Sequence, residues 1–464
     1  MDEDRFFTIL WGDVRTRLDG NYHRAFKRFE HLGMAGTRPL GSLLKAFFSG
    51  GTPSKTVSAY WAGEIPWASP KDFGPFILGE TEDHITQEAV THSAAKIATK
   101  GSVLVVVRSG VLAHTLPVAI TGRDMAINQD LKALICKDGI SPEFLATYLL
   151  TFGDQILPLI TKHGVTVQSV NTPEFRALPV PILDSHGQQH IAARYSAAID
   201  TQKQKLAEAD ALLASINDYL LAELGIALPP EPENTIDKRT QKVSFSAIQQ
   251  RLDPNFFVRK YVDLTEAIAR RPFKLLRDAC NLSSETWDQK SGFGETFPYL
   301  EISAIDRTTG QITEIAEIPL EEAPSRARMT VRPHDILVST TRPSRGAIAL
   351  VSEGHVPFIA STGFAVIREV DARLVDRKFL FHVLRSKIGL TQMEQRSSGG
   401  NYPAITAAEL KRIKIPLPNL SMQLSIAQEV ERMKAAALQL RREANAELEQ
   451  AKREIEAILL GEAA

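Results

Sequence analysis

Cysteine is nearly absent: Cys136 and Cys280 are the only two in 464 residues. They sit in different halves at non-equivalent places, which provides neither a disulfide framework nor a metal-ligand pattern. No uninterrupted apolar run reaches membrane-spanning length. The opening MDEDRFFTIL is acidic and has no basic region followed by an apolar core, so it does not read as a signal peptide. A cytoplasmic location with no membrane association is the expectation. Net charge is also missing, at −1 for the whole chain, so bulk charge does not advertise a nucleic-acid partner. Catalytic signatures are lacking too: there is no GxxxxGK[ST] loop, no HExxH and no CxxC pair. The eleven histidines are scattered, and His84 and His92 have no metal-ligand spacing. Asp253-Pro254-Asn255-Phe256 brushes against the target-base motif of a DNA methyltransferase. Its repeat, Asp19-Gly20-Asn21-Tyr22, keeps the Asp, the Asn and the aromatic but not the proline. Pro70-Lys71-Asp72 does not by itself define a nuclease. The expectation is a chain without catalysis of its own.

Against these absences stand two long helical stretches. In the first, Ile191, Tyr195, Ala198, Leu206, Ala209, Leu213, Ile216, Leu220 and Leu224 recur in steps of mostly three and four, with Gln202 filling one seam position. That is a coiled-coil period, stopped by Gly225 and then Pro229-Pro230. The C-terminus repeats the pattern with Ile426, Val430, Met433, Ala437, Leu440, Ala444, Leu448, Ala451, Ile455 and Leu459 before Gly461. A long helix with one narrow apolar seam needs a partner, and each is the natural partner of the other. Both helices are net acidic, which leaves the remainder slightly basic.

More than the helices recurs. Arg17–Tyr22 returns as Arg251–Phe256, Arg38-Pro39 as Arg271-Pro272, Ser102–Val105 as Asp335–Val338, and Glu174–Ile182 as Glu409–Leu417. All appear in order at an offset of about half the chain, which marks a tandem duplication of a globular domain plus a long helix. Val103–Val107, Ile336–Val338 and Ala347–Val351 read as buried strands, and Pro142–Leu150 and Arg377–Leu384 as short helices. The predicted architecture is α+β: a globular domain over 1–184, a spacer helix over 185–225, a Pro-rich link over 226–242, a second domain over 243–418 and a second helix over 419–464.

The polar loops also recur at matching places. One follows the first strong strand of each half, with Arg108-Ser109 in one and Arg342, Ser344 and Arg345 in the other. A later loop carries His163, Thr166 and Gln168 in the first half and Arg396, Ser397, Asn401 and Tyr402 in the second. Arg bonds guanine bidentately and Asn or Gln bonds adenine, while Ser and Lys serve base edges and phosphates. Trp61 and Trp67, flanking Gly63–Pro66, read as a buried aromatic pair that holds the domain together.

Gly50-Gly51-Thr52-Pro53-Ser54, Tyr60-Trp61, Ile65-Pro66-Trp67 and Lys71-Asp72-Phe73 resemble the opening of a target recognition domain of type I restriction–modification specificity subunits. The resemblance continues through Asn128-Gln129, Ile140–Leu145, Leu178–Ile182 and Gln188–Ile191. The second half follows through Asp335–Val338, Ser361–Phe364, Gly399, Ile415–Pro418 and Gln423, but has Asn281–Ser284 in place of the Gly-Gly-Thr-Pro-Ser run. The resemblance implies two target recognition domains in tandem pseudo-repeat, joined by two long antiparallel coiled-coil helices. It implies that each domain reads half of a bipartite, asymmetric site in double-stranded DNA. It further implies two modification subunits docked on the helices, motor-nuclease subunits joining that assembly, no cofactor in this chain, and S-adenosylmethionine in the modification partner. Candidate DNA contacts are Ser54, Lys55, Ser69, Lys71, Arg108, Ser109, His163, Thr166, Gln168, Gln289, Arg342, Ser344, Arg345, Arg396, Ser397, Asn401 and Tyr402. The candidate seam is Ile191, Tyr195, Leu206, Leu213, Ile216, Leu220, Ile426, Val430, Met433, Leu440, Leu448 and Ile455. A specificity subunit of another bipartite-site system, a self-sufficient modification enzyme and a coiled-coil scaffold without DNA binding remain alternatives at this point.

Overall fold

The computed structural model describes residues 20–30, 34, 36–162, 167–229, 235, 243, 248, 253–289, 292–355 and 357–462. His163 and Thr166, the first repeat's Arg17–Asp19 and most of the Pro-rich link lie outside the described residues. The chain forms two compact units, residues 1–206 with 442–464 and residues 207–441. Each long helix therefore contributes one half to each unit, a division that cuts the helices where the periodicity shows no break. The helices run Ser185–Glu223 and Leu420–Leu460. Among the described residues no helix is long and apolar enough to cross a membrane.

The first unit is built on a five-stranded sheet in the order Leu44–Phe48, Leu131–Cys136, Val103–Val106, Val118–Thr121 and Ile77–Leu78. Its first three strand pairings are antiparallel and the last is parallel. Val103–Val106 is buried on both faces, which explains its unbroken apolar run where a half-exposed strand would alternate. One face packs on Phe144, Tyr148, Phe152, Ile191 and Tyr195. The other covers a second sheet in the order His84–Ile85, Ile65–Ala68, Met125–Ile127 and Lys96–Ala98.

The second unit repeats the plan. Cys280–Leu282, Phe364–Val370, Ile336–Ser339 and Ile348–Leu350 form one sheet, and Ala316–Pro319, Thr296–Leu300, Phe358–Ser361 and Ala327–Val331 form the other. In each unit a two-stranded ribbon closes the base, Thr37–Pro39 with Pro179–Pro181 and Phe273–Leu275 with Lys414–Pro416. These are the proline-flanked repeats read from the sequence, and proline is tolerated there because ribbons of two strands are all edge.

The seam residues divide by depth. Ile191, Tyr195 and Ile455 are core residues of the first unit, and Leu220, Ile426 and Val430 are core residues of the second. Met433 is also buried, whereas Leu206, Leu213, Ile216, Leu440 and Leu448 are half-buried. Ala198, Ala209, Ala437, Ala444 and Ala451 are buried alongside them. Within each unit the helix halves run antiparallel, as the ion pairs show. Arg194 reaches Glu447 at 2.9 Å and Glu454 at 2.6 Å, and Lys205 reaches Glu443 at 2.6 Å. In the second unit Arg441 meets Asp210 at 2.7 Å.

Candidate nucleic-acid interface

The root of each long helix carries a duplicated latch. Gln188 Oε1 accepts from the Ser141 N–H at 2.8 Å, and its Nε2 donates to Gly139 O and Leu183 O at 2.9 Å each. Gln423 makes the same set: Oε1 accepts from Asp376 N–H at 2.8 Å, and Nε2 donates to Leu374 O at 3.0 Å and Pro418 O at 2.8 Å. Ser141 and Asp376 are the N-caps of the short helices Pro142–Thr151 and Arg377–Arg385. Both glutamines are buried, and the three hydrogen bonds each amide makes are costly to leave unmade there. Their place in the sequence motif is thereby explained: they orient the long helix on its domain rather than touch a ligand.

At the far end of each main sheet the polar loops come together. In the first unit, Arg108 pairs with Ser169 as an isolated bridge, and the Ser109 N–H donates to Gln168 O at 3.2 Å. Arg108 Nε also donates to Asp130 Oδ1 at 2.7 Å, which fixes its guanidinium over the start of Leu131–Cys136. In the second unit, Thr341 pairs with Ala404 in the equivalent bridge. Two loops far apart in sequence are thus stitched into one surface in both halves, and Arg108, Ser109, Gln168, Arg342, Ser344, Arg345, Asn401 and Tyr402 all lie on it.

Arg342 is the most constrained of these. Its backbone is left-handed, φ 47° and ψ 52°, a conformation that costs a non-glycine residue about 1–3 kcal/mol. Its N–H donates to Pro403 O at 2.7 Å and its guanidinium to Asn401 O at 2.8 Å and 3.2 Å. The same guanidinium lies 4.3 Å from the Tyr402 ring centroid, a cation–π contact. Tyr402 is nevertheless 70% exposed, so its ring stands out from the loop on an arginine base. Arg345 is exposed and its side chain has no partner among the described residues.

Other predicted contacts are already engaged. Arg396 is mostly buried and bonds Glu409 at 2.9 Å, and Ser397 Oγ donates to Met393 O at 2.7 Å. Gln289, with φ 65°, donates to Pro324 O and Ala327 O. Ser69 forms a reciprocal cap with Asp72. Lys71 sits 2.8 Å from Asp83 and 3.0 Å from Glu82, and those hydrogen bonds raise its pKa above the usual lysine range. Ser54 and Lys55 are exposed on the Gly-Gly loop, where Ser54 Oγ shares a hydrogen bond with Thr56 at 2.8 Å. That loop explains its own glycines: a Cβ at Gly50 would fall 1.9 Å from Ile127 O, and one at Gly51 would fall 2.5 Å from Ala94 Cβ. Trp67 Nε1 donates to Gly51 O at 3.1 Å and its ring meets Trp61 edge-on at 5.2 Å. The Trp pair braces the loop, with Trp67 buried and Trp61 only half-buried where a fully buried pair was expected.

The two thiols are free, and burial pushes both up to about 12, which keeps them un-ionised at neutral pH. Among the described residues no cluster of three or more His, Cys, Asp or Glu could hold a metal ion.

Fold and surface together define a class: a duplicated α+β module that presents paired loops at the end of each sheet and shares two antiparallel helices. Comparison with known proteins makes the assignment specific. The family described as the type I restriction modification DNA specificity domain matches residues 35–211 and 275–450, and the chain belongs to that family. It is 35% identical over 195 residues to the type I restriction enzyme EcoR124I/EcoR124II specificity subunit of Escherichia coli, covering 40% of this chain and 47% of that one. It is 30% identical over 149 residues to the MjaIX specificity subunit of Methanocaldococcus jannaschii, covering 31% and 33%. These alignments span about half and a third of the curated relatives' lengths. A solved chain from a type I R-M system, studied for complex assembly and conformational transition, aligns over 92% of this chain and 97% of its own at 16% identity and TM-score 0.47.

Proposed function

We propose that this chain is the non-catalytic DNA-recognition subunit of a type I restriction–modification complex. Each unit reads one half of a bipartite, asymmetric duplex site, and the long helices set the spacing and dock the modification subunits. Methyl transfer, with S-adenosylmethionine, belongs to those partners, and the motor-nuclease subunits join through them. The observation that carries this reading is the duplicated sheet end: the same two loops are stitched together in each unit while the side chains they present differ. A fixed frame with variable loops is what two half-sites of different sequence require. Within the first unit Arg108 and Ser109 face the duplex, and within the second Arg345, Ser344, Asn401 and Tyr402 do.

The 39-residue first helix is about 58 Å long at 1.5 Å per residue, or about 17 base pairs at 3.4 Å each. The test is a survey of methylated genomic positions for the assembled complex. It should show a split motif, and one heptad added to both long helices should lengthen the unspecified gap. Methylation by the purified chain alone, or an unsplit motif, would refute the assignment.

A further inference from the structure

Three cations of the first unit stand around the edge strand Leu44–Phe48 without a carboxylate partner among the described residues. Lys132 Nζ lies 5.1 Å and Arg176 Cζ 5.7 Å from the centroid of the Phe47 ring, and Lys96 Nζ lies 5.8 Å from that of Phe48. Phe47 is itself braced by Phe175, with ring centroids 6.1 Å apart. None of the three cations has an acidic partner among the described residues, although Arg108, Arg123, Arg194 and Lys205 of the same unit each have one. Lys132 is partly buried as well, and burial together with the like charge of Lys96 lowers its pKa. Lys132 and Arg176 stand on the Phe47 face of that strand and Lys96 on the Phe48 face, and Lys96 and Arg176 are exposed, so positive charge surrounds the edge of the sheet. An incoming anion relieves the repulsion between Lys132 and Lys96.

Its position identifies the anion. Phe48 ends the strand that runs into Gly50, Lys132 stands opposite Val105, and Lys96 stands opposite Ile127, next to Asn128-Gln129. Asp130, two residues before Lys132, is the partner of Arg108. The cluster therefore adjoins the loop surface at the same end of the sheet. In the second unit Leu282 occupies the place of Phe47, pairing Ile367 as Phe47 pairs Leu134, and Ala365 occupies the place of Lys132. Arg176 keeps a basic counterpart in Lys411, so Lys132 is the charge that the second unit lacks.

We propose that Lys96, Lys132 and Arg176, disposed around the edge strand on the two sides marked by Phe48 and Phe47, are a phosphate-backbone contact of the first unit. They anchor one flank of the duplex without reading its sequence. The proposal rests on the DNA-recognition reading above and adds an unequal electrostatic grip by the two units.

The test uses the full chain assembled with its modification partner. Binding is followed by anisotropy on a duplex carrying a genomic methylated site and on a scrambled duplex, across a range of salt. Lys132→Met and Lys96→Met keep the aliphatic stems over the rings while removing charge. Each should weaken binding to both duplexes about five- to tenfold at about 0.1 M salt and flatten the slope of log K against log salt by about 0.9. The thermal midpoint without DNA should stay level or rise, since a repulsion has been removed. An unchanged salt slope overturns the proposal, and so does a loss confined to the methylated-site duplex, which would make these residues base readers. Weakened assembly with the modification partner in the absence of DNA overturns it too, by pointing to an acidic protein surface. If the unmodified complex binds neither duplex, the DNA-recognition reading itself fails, and that result is distinct from the others.

Discussion

The two units share a frame and differ in how they hold it together. Ahead of the central strand, the first unit closes its turn with a neutral hydroxyl: Ser102 Oγ donates to Thr99 O at 2.6 Å. At the repeat position the second unit has Asp335, 2% exposed, which accepts from the Arg332 N–H at 2.9 Å and from the Arg368 guanidinium at 2.9 Å. Arg368 also meets Glu285. The short helix behind differs in the same sense. Thr147 and Leu150 in the first unit correspond to His382 and Arg385 in the second, and His382 lies 2.9 Å from Glu431 of the long helix without hydrogen-bond alignment. The latch glutamines, by contrast, are alike to the atom. The joints between helix and domain are therefore the same in both units, while the second unit carries ion pairs around its central strand and short helix where the first has neutral groups. The joint fixes where a domain sits; the rest is free to specialise.

The largest break in that comparison should come from Asp335→Ala. It leaves Arg368 largely buried beside only one remaining carboxylate, and losing one partner of a buried pair costs about 3–5 kcal/mol. Ser102→Ala in the first unit should cost about 1 kcal/mol. Urea midpoints of the two variants measure the gap, and equal losses would mean the ion network adds nothing.

Gln188→Leu and Gln423→Leu each strand one buried N–H and two carbonyls. Each should cost about 2–3 kcal/mol, less than a full sum because water reaches part of the site. The two losses should match, and a large difference in urea midpoint would show the latches to be equivalent in geometry only.

Smaller, and confined to one half-site, is Arg345→Ala. It should relax one position of the methylated motif by about 1–3 kcal/mol of discrimination. Arg342→Ala frees the Tyr402 ring and should blur several positions of that same half, because Arg342 holds the loop. Sequencing methylated sites for each variant distinguishes them, and a uniform loss across both halves would make either residue a phosphate contact.

The smallest effect is one of pH. Burial holds the His382 pKa below its ordinary value, with Lys434 and Arg385 opposing protonation and Glu431 favouring it. Glu431 is held down at about 2, chiefly by its contact with His382. Because the unfolded histidine binds a proton at higher pH than the folded one, stability from this site is present above about pH 6.5 and declines as pH falls below it. Glu431 adds a contribution present above its unfolded value, about 4.3, and lost as pH falls toward about 2. His382→Thr, the first unit's residue, should flatten the thermal midpoint between neutral pH and about pH 5. A slope left unchanged would place the titration elsewhere.

Much of this molecule could be read without coordinates. The strand at Val103 and the helices at Pro142 and Arg377 are where the apolar runs and first-turn signals put them. The long helices extend to 39 and 41 residues, a little beyond their seams. The loop surface at the sheet ends was legible only as a set of recurring polar loops. Arg342 and Arg345 look interchangeable as letters, yet one is locked against Asn401 and Tyr402 and the other has no side-chain partner among the described residues. Arg396 looked like a contact and is folded inward onto Glu409. The cluster of Lys96, Lys132 and Arg176 left no trace in the chain, since its members come from three separate elements.

What the sequence alone determined is whatever repeats along one dimension: the duplication, the helix period, the alternation of strand and turn, and with them the family. Those follow from local sterics and from the periodic burial of apolar side chains, which act over a few residues at a time. Tertiary structure decided which polar side chains remain available. Availability depends on partners brought together from distant segments, and on whether burial leaves a charge paired or exposed. The helix seam shows the same limit: its period announces a partner, but only packing decides that its ends belong to two different cores.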